Sequence, residues 1–233
     1  MVITPAAAPA ALPLWVSVCG SLAPFSASVV FMAPMPTINQ IAKDKSIGSL
    51  PLLPYTTMIA SSFLWVAYGV LKSESKIWST NILGMVLGTY YFTQYIKWIP
   101  KKMIPDATRD HYRGITGIIL ATLAIAYVLP IQDPSTVVGN IAVLFCMILF
   151  GSPLIVLRSA IRDRSAKSLP LPFTIATIIN CFLWSVLGWF DMNDVNVYFP
   201  NLVGLSFGLC QLILKLVFGD GVAAPENRLD SLL

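Results

Sequence analysis

Seven long apolar stretches follow one another along this chain, at residues 14–36, 51–71, 78–99, 114–131, 136–157, 170–190 and 197–218. Each has roughly the 17–25 residues that an α-helix needs to cross about 30 Å of hydrocarbon. Only 11% of the residues are charged, whereas a soluble domain carries about 25%. Charge this sparse cannot cover a surface that faces water. The sequence therefore predicts an all-α integral membrane protein with seven transmembrane helices.

The basic residues indicate how these helices are oriented. If the N-terminus lies outside, every Lys and Arg except Lys72 and Lys76 falls in an inner loop or in the tail. Inner loops of membrane proteins carry an excess of Lys and Arg. We therefore expect the N-terminus outside and, after seven spans, the C-terminus inside. Residues 1–14 contain no Lys or Arg, so the first span is expected to be retained and not to be a signal peptide.

The sequence repeats itself at an offset of 119 residues. The basic turn 43–46 (Lys-Asp-Lys-Ser) matches 162–165 (Arg-Asp-Arg-Ser), and Phe63-Leu64-Trp65 matches 182–184. After one inserted residue, Asn81 meets Asn201. Spans one to three and five to seven are therefore predicted to be two copies of one three-helix unit. The basic turn is inside in both copies, so the copies are parallel, and span four supplies the extra crossing that a parallel arrangement needs.

This repeat predicts the organisation of the whole chain. We expect an N-terminal segment (1–13), a first three-helix repeat (14–99), an inner loop with a linker helix (100–135, with its span at 114–131), a second repeat (136–218) and a short cytosolic tail (219–233). The predicted fold is thus two parallel three-helix bundles in a 3+1+3 order.

Chemically reactive groups are scarce in the predicted spans. No span has an acid or a base near its middle, the one histidine (His111) lies in a charged loop, and the four cysteines are isolated in apolar stretches. We therefore expect no catalytic activity, no metal, no cofactor and no nucleic-acid partner. Proton-coupled carriers usually keep an ionisable group within the membrane, so its absence favours facilitated diffusion of a neutral solute.

Each repeat carries a tryptophan well inside its second helix and an asparagine near the start of its third. Trp65 lies about 9 Å from the end of its span and Asn81 about 5 Å into the next, so both could reach one depth. Trp184 and Asn201 repeat the arrangement. An aromatic face and an amide that both donates and accepts suit a sugar. The alternatives are a packed or lipid-facing ring for the tryptophans, and an interhelical hydrogen bond or a helix start for the asparagines.

Asn180 is a further candidate for substrate binding. It lies four residues before Trp184 and so on the same helix face, and its repeat counterpart is Ser61. It could add an asymmetric polar contact, or it could serve packing alone.

Four prolines fall near the inner ends of the predicted spans. Pro34 and Pro153 lie near the ends of spans one and five, and Pro54 and Pro170 near the starts of spans two and six. Proline removes a backbone donor and bends a helix, so the four could form hinges beside an inner gate. The alternative is that proline is tolerated in the first turn of a helix.

These residues resemble the SWEET (MtN3/saliva) family of sugar facilitators over roughly residues 14–218. The matching motifs are Ala33-Pro34, Ser152-Pro153-Leu154, the two basic turns, Leu53-Pro54-Tyr55, Tyr68-Gly69, Pro200-Asn201 with Gly204, and Gln211-Leu212-Ile213-Leu214. The resemblance implies uniport of mono- or disaccharides by alternating access. It assigns a midplane site to Trp184, Asn81 and Asn201, with Trp65 at the equivalent first-repeat position, and a proline tetrad to Pro34, Pro54, Pro153 and Pro170. It also implies that Tyr68 and Asp194 belong to an outer gate.

The sequence departs from the family pattern at three positions. Trp65 stands where plant members often have a small residue, so two indoles would narrow the pocket and disfavour a disaccharide. Leu187 stands where an outer-gate tyrosine is common. The 119-residue offset pairs Pro170 with Pro51, whereas the family pattern selects Pro54.

The resulting hypothesis is a proton-independent, bidirectional uniporter of a hexose such as glucose, working by alternating access with proline-assisted helix bending. One alternative is a PQ-loop carrier of amino acids or another small solute. The amino-acid carrier predicts a Pro-Gln pair and an intramembrane acid, which this sequence lacks. Another is a seven-span receptor, which does not require the repeat. The expected partners are the sugar and the bilayer, and a homo-oligomer is an open alternative to a single chain. We expect the protein in the plasma membrane in preference to an internal membrane.

Overall fold

The computed structural model describes residues 11–101 and 104–220. These residues contain no strand and form nine α-helices: α1 (Leu14–Met32), α2 (Met35–Asp44), α3 (Leu53–Leu71), α4 (Ser75–Trp98), α5 (Ile104–Tyr127), α6 (Pro134–Leu149), α7 (Gly151–Asp163), α8 (Leu171–Val186) and α9 (Val195–Phe218). A π-helical turn, Leu187–Asp191, continues α8. Most of the predicted N-terminal segment (1–10 of 1–13) and of the predicted tail (221–233 of 219–233) lies outside the described residues.

The nine helices make seven consecutive segments, because α2 continues α1 and α7 continues α6. In the described part of the chain, four segments are long and apolar enough to cross a membrane: Leu14–Asp44, Pro134–Asp163, Leu171–Asp191 and Val195–Phe218. The other three segments are α3, α4 and α5. This element order confirms the prediction of an all-α fold with seven helical segments.

Several helices are longer than the apolar stretches that predicted them. The linker helix α5 begins at Ile104, ten residues before the predicted span at 114. Its first turns carry Asp110 and Arg113, which form an exposed i,i+3 pair at 3.6 Å. Similarly, α4 begins at Ser75 and not at 78. Hydropathy marks the part of a helix that faces lipid, whereas helical backbone continues through polar turns that project beyond it.

The first and fifth segments are each interrupted near the same depth. The first breaks at Ala33-Pro34, between α1 and α2, where proline lacks the N–H that would continue the backbone ladder. The fifth breaks at Phe150, just before Pro153 in the first turn of α7. In the first repeat, the hydroxyl of Tyr91 donates to the Phe31 carbonyl beside the break at 3.0 Å. The two breaks lie 116 to 117 residues apart, and the prolines beside them lie 119 residues apart, so the breaks fall at nearly equivalent places in the repeat.

The two repeats contact each other through crossed helix pairs. The first segment of one repeat packs on the second segment of the other, as α1 on α8 and as α3 on α6. Within each repeat the second and third segments pair, as α3 with α4 and as α8 with α9. The linker helix α5 lies against α3 and α6. This arrangement is the 3+1+3 order that the sequence predicts.

Buried apolar residues form three clusters whose positions differ between the two ends of the bundle. The basic end is the end with the α2–α3 and α7–α8 turns, and the opposite end has the α3–α4 and α8–α9 turns. A shared cluster near the opposite end combines both repeats: Ala23, Ala27, Tyr68, Ile77, Val138, Leu183, Trp184, Leu187 and Val197. A first-repeat cluster lies toward the basic end: Ile38, Ile41, Leu52, Tyr55, Tyr91, Phe92, Tyr95 and Ile99. A smaller second-repeat cluster also lies there: Ala160, Ala166 and Leu169. The described repeats are thus joined at the opposite end and have separate cores at the basic end.

Candidate functional site

A cavity of about 200 Å³ lies between the two repeats. Its lining residues come from both of them: Ala27, Phe31, Ser61, Trp65, Ile77, Thr80, Asn81, Cys146, Phe150, Asn180, Cys181, Trp184, Val197, Pro200 and Asn201. The structure therefore brings together all five predicted substrate-binding residues: Trp65, Asn81, Asn180, Trp184 and Asn201.

The lining follows the internal repeat. At offsets of 119 or 120 residues, fourteen of the lining residues form seven pairs: Ala27 with Cys146, Phe31 with Phe150, Ser61 with Asn180, Trp65 with Trp184, Ile77 with Val197, Thr80 with Pro200 and Asn81 with Asn201. The remaining residue, Cys181, corresponds to Ser62. The cavity thus lies on the approximate twofold axis that relates the repeats.

Sequence reasoning missed two aromatic residues of this cavity. Phe31 and Phe150 line it where the first and fifth segments break. Glycine allows Phe31 to approach α4, because a Cβ on Gly84 would lie 2.8 Å from its ring. Phe150 lies beside Gly204 of α9, where a Cβ would make an ordinary contact at 3.4 Å. The 119-residue offset could have paired the two phenylalanines, but an aromatic residue in an apolar span gives no sign of which way it faces.

The tryptophans and asparagines lie at one depth along the bundle. The predicted spans had put the asparagines closer to the membrane surface than the tryptophans, because the predicted third span began at residue 78. Trp65 lies six residues before the end of α3, and Asn81 lies six residues after the start of α4. Six residues correspond to about 9 Å of helix, so both lie at the same distance from the opposite end. Trp184 is 7% exposed, and the Trp65 ring meets the edge of Tyr68 at a centroid distance of 5.7 Å.

The asparagine side chains are fixed by hydrogen bonds. The amide nitrogen of Asn81 donates to the Ile77 carbonyl at 2.9 Å, and that of Asn201 donates to the Val197 carbonyl at 2.8 Å. The amide oxygen of Asn180 accepts from the Ser26 hydroxyl at 3.0 Å. Because Ser26 is on α1 and Asn180 on α8, the last bond joins the two repeats.

The cavity is electrically neutral. None of the fifteen lining residues, all within the described ranges, is Asp, Glu, Lys, Arg or His. The described residues also contain no group of three or more His, Cys, Asp or Glu side chains that could hold a metal ion. The cavity therefore combines aromatic faces with uncharged donors and acceptors.

The predicted gate residues meet at the opposite end. The hydroxyl of Tyr68 donates to an Asp194 carboxylate oxygen at 2.5 Å, and the two residues are 1% and 7% exposed. The other Asp194 oxygen accepts from the backbone N–H of Asn196 at 3.0 Å and so caps α9. This contact joins the second helix of one repeat to the third helix of the other.

The equivalent contact on the other side of the axis has different chemistry. Leu187 replaces a tyrosine there and is completely buried in the shared cluster. Beside it, Lys76 and Asp191 form an ion pair at 2.9 Å, with both charged atoms close to Gly20. The two repeats are therefore joined at the opposite end by a hydrogen bond on one side and by an ion pair on the other.

The four candidate hinge prolines do not all bend a helix. Pro34 lies at the break between α1 and α2, and Pro153 lies in the first turn of α7 immediately after the second break. Pro54 is the second residue of α3, and Pro170 is the residue before α8. A proline at a helix start removes no backbone hydrogen bond, so Pro54 and Pro170 mark helix starts on the basic side of the cavity.

Comparison with known proteins gives the relatives of this chain. A family model described as "Sugar efflux transporter for intercellular exchange" matches twice, at residues 17–103 and 136–220. The bidirectional sugar transporter SWEET13 of Arabidopsis thaliana is 30% identical over 213 residues, covering 88% of this chain and 70% of the relative. The bidirectional sugar transporter SWEET12 of Oryza sativa subsp. japonica is 28% identical over 210 residues, covering 89% and 69%.

A solved structure has the same fold. The structure of a eukaryotic SWEET transporter at 3.7 Å resolution superposes with a TM-score of 0.78, covering 88% of this chain and 98% of that one at 22% identity. This likeness supports the fold of seven transmembrane helices as two parallel three-helix bundles. The two matches of the family model cover more than half of the chain and establish that it belongs to the MtN3/saliva family, the family of the SWEET transporters.

Proposed function

We propose that this protein is a facilitative, bidirectional uniporter of a monosaccharide, a hexose such as glucose, and that transport is independent of protons. The observation that carries the proposal is the neutral cavity with two tryptophans and three asparagines on the repeat axis. Indole faces suit the C–H face of a pyranose, and amides suit its hydroxyl groups. Membership of a family whose relatives are named bidirectional sugar transporters supports the same conclusion.

The size of the cavity supports a monosaccharide. Its volume of about 200 Å³ is smaller than the roughly 300–1,000 Å³ of pockets that hold drug-sized ligands. Trp65 and Trp184 both project toward this space from opposite repeats, so a second sugar ring would have to displace an indole. We therefore expect sucrose to compete poorly with glucose.

Independence from protons is supported by the chemistry of the lining. A coupled carrier needs a group that binds a proton and substrate in linked steps, and ionisable groups within a membrane are kept for such functions. The described lining residues include no carboxylate and no histidine. Substrate movement would then follow its concentration gradient alone.

Alternating access is supported by the difference between the two ends. The shared cluster and the Tyr68–Asp194 bond close the opposite end, whereas the described residues at the basic end form separate clusters and no common core. We propose that the basic end is cytosolic, as the distribution of Lys and Arg indicates, so that this conformation is closed to the outside. Pro34 and Pro153 would then act as hinges at the helix breaks. We also propose that the membrane is the plasma membrane.

The test is uptake of radiolabelled glucose by proteoliposomes, with and without an imposed proton gradient. We expect uptake to reach equilibrium and to ignore the gradient. Trp184→Ala and Asn201→Ala should each reduce uptake at least roughly tenfold, while the inserted, folded protein remains. Trp15→Ala and Asn140→Ala are matched controls, since both side chains are exposed away from the cavity. Accumulation driven by the gradient, or normal uptake by both cavity variants, would refute the proposal.

A further inference from the structure

We infer that Asp191 is a residue inserted into the second repeat, that the π-helical turn absorbs it, and that its ion pair with Lys76 holds one side of the opposite end closed. The first repeat has no counterpart of Asp191. Asp191 is therefore a further gating residue, on the side where Leu187 replaces a tyrosine. The inference goes beyond the proposed function and does not depend on which solute is transported.

The hydrogen bonds of the backbone locate the insertion. In the first repeat, the Lys72 N–H donates to the carbonyl of Tyr68, four residues earlier. In the second repeat, the Met192 N–H donates to the carbonyl of Leu187, five residues earlier. Tyr68 and Leu187 are counterparts at the offset of 119 residues. The same bond therefore encloses one more residue in the second repeat.

The side chains within this interval identify the extra residue. Residues 70–71 of the first repeat are apolar (Val-Leu), and residues 189–190 of the second repeat are apolar as well (Trp-Phe). Asp191 follows the apolar pair and precedes Met192, which makes the bond equivalent to that of Lys72. The matching of apolar with apolar positions leaves Asp191 as the residue without a counterpart.

The π-helical turn keeps this extra residue from disturbing the rest of the repeat. One added residue would rotate everything after it by about 100° if an α-helix simply continued, whereas a single π-turn takes it up locally. Beyond the turn the repeats agree again, since Ser73 and Asn193 both have a positive φ, at 56° and 48°. An added Cβ would lie 2.7 Å from a backbone nitrogen of α4 at Gly69 and 2.8 Å from one of α9 at Gly188.

The inserted carboxylate lies beside a lysine of the other repeat. The Lys76 Nζ and an Asp191 carboxylate oxygen are 2.9 Å apart. An added Cβ on Gly20 would lie 3.3 Å from the first of these atoms and 3.7 Å from the second. It would also lie 3.0 Å from the side chain of Leu187. The ion pair is therefore built against both α1 and the buried leucine.

The equivalent place on the other side of the axis has a neutral side chain in place of the lysine. Gly139 is the counterpart of Gly20, and Tyr68 and Asn196 lie beside it. Asn196 is the counterpart of Lys76 at the offset of 120 residues. The side with a lysine thus has an inserted carboxylate to pair with it, and the side with an amide has no insertion.

This ion pair favours the closed form of the opposite end. Lys76 belongs to α4 of the first repeat, whereas Asp191 follows α8 of the second, so the two charges meet only while the repeats are in contact there. Without Asp191, the half-buried Lys76 would face the buried Leu187 in the closed form, and a charge without a partner is costly to bury. In the open form water would hydrate it.

Pulsed electron paramagnetic resonance can measure the ratio of closed to open protein, with the full chain in lipid nanodiscs. Spin labels are placed at Ser75 and Val195, the exposed first residues of α4 and α9, after replacement of the exposed Cys210 by Ser. Deletion of Asp191 and Asp191→Asn should each lower this ratio about two- to fivefold at low salt. The two decreases should agree, because both changes remove the same charge, and both should disappear in high salt.

Lys76→Asn distinguishes the ion pair from a purely structural role of the turn. This substitution copies Asn196, the neutral counterpart in the second repeat. In the presence of Lys76→Asn, deletion of Asp191 should leave the ratio of closed to open protein unchanged, because no cation remains to be paired. A purely structural role of Asp191 would lower the ratio with and without Lys76→Asn.

Deletion of Leu71 is the matched control for the insertion. Leu71 lies just before Lys72 in the first repeat, where the helix has no extra residue to lose. Its deletion should rotate Tyr68 by about 100° relative to α4 and abolish the folded, monodisperse protein. Deletion of Asp191 should instead preserve the folded protein, with an α-helical turn in place of the π-helical one.

Two results would overturn the inference. Loss of the folded protein on deletion of Asp191, as on deletion of Leu71, would mean that the π-turn does not absorb an inserted residue. No decrease in the ratio for Asp191→Asn at low salt, or an equal decrease on deletion of Asp191 with and without Lys76→Asn, would mean that the ion pair does not hold this end closed. Neither result bears on sugar transport, which the glucose uptake assay tests separately.

Discussion

Removal of the Tyr68 hydroxyl should shift the protein from the conformation closed at the opposite end toward one that is open there. The bond to Asp194 is 2.5 Å long, buried, and accepted by a carboxylate. Hydrogen bonds to charged groups contribute about 1.5–3 kcal/mol. Because this bond joins the two repeats, it forms only when that end is closed. Tyr68→Phe keeps the ring in the shared cluster and should change the ratio of closed to open protein by roughly 10- to 150-fold.

Pulsed electron paramagnetic resonance can measure this shift directly. Spin labels at Ser75 and Val195, the exposed first residues of α4 and α9, report the distance across the opposite end once exposed Cys210 is replaced by Ser. In Tyr68→Phe we expect a second, longer distance to become populated. Asp194→Asn removes the charged acceptor and should have a smaller effect in the same direction. The double variant should add little to Tyr68→Phe, because both changes act on one contact.

A buried tyrosine elsewhere in the first repeat provides the control. The hydroxyl of Tyr95 donates to the Leu50 carbonyl at 2.6 Å, and both residues belong to the same repeat. Tyr95→Phe should lower stability without a change in the distance distribution. If Tyr68→Phe also leaves the distribution unchanged, or if its effect and that of Asp194→Asn are fully additive, the bond does not control the closure of this end.

Three further predictions concern packing, charge and pH. Gly188→Ala should destabilise the protein by about 1–3 kcal/mol, because the new Cβ would lie 2.8 Å from a backbone nitrogen of α9. Gly117→Ala is the control, since its Cβ would have nothing within 4 Å, and it should not lower the melting temperature. Equal decreases in melting temperature for the two variants would contradict the close approach at Gly188. Lys76→Met should change the ratio of closed to open protein much less than Tyr68→Phe does. The ion pair of Lys76 with Asp191 is partly exposed, and such pairs contribute about 0–1 kcal/mol. The difference between Lys76→Met and the unmodified protein should vanish in high salt. Hydrogen bonds from Ser135 and Thr136 lower the pKa of Asp133 to about 2, below its ordinary value. The cap that Asp133 makes on α6 should therefore persist at neutral and mildly acidic pH and be lost only as the pH falls toward 2. Hydrogen exchange can measure the protection of the first turn of α6, and a loss of this protection near pH 5 would contradict the prediction.

The sequence predicted the segments and the composition of the cavity because both depend on features that are local or repeated. Apolar stretches require lipid-facing helices, and the 119-residue offset related Trp65 to Trp184 and Asn81 to Asn201 without any structure. All five predicted substrate-binding residues do line one cavity. Their role in binding a substrate stays a prediction until transport is measured.

The features that the sequence did not predict depend on three-dimensional contacts. Hydropathy could not locate the start of α4 at Ser75, because polar helical turns project beyond the apolar window. Lys76 and Asp191 are separated by 115 residues, and no local pattern relates them. The orientation of each asparagine depends on a carbonyl of its own helix or on a serine of the other repeat, and neither can be read from the residue type.

The unequal cores at the basic end imply an unequal division of movement between the two halves. The first-repeat cluster has eight buried members, four of them aromatic, and the second-repeat cluster has three. The linker helix adds to the first half, where His111 lies 3.0 Å from the Thr56 hydroxyl and the Tyr112 ring meets Phe92. We therefore expect the first half to serve as the stationary frame and the second half as the rocking arm. Two halves of similar sequence would then contribute unequally to the transport cycle, one as a fixed support and the other as the moving part.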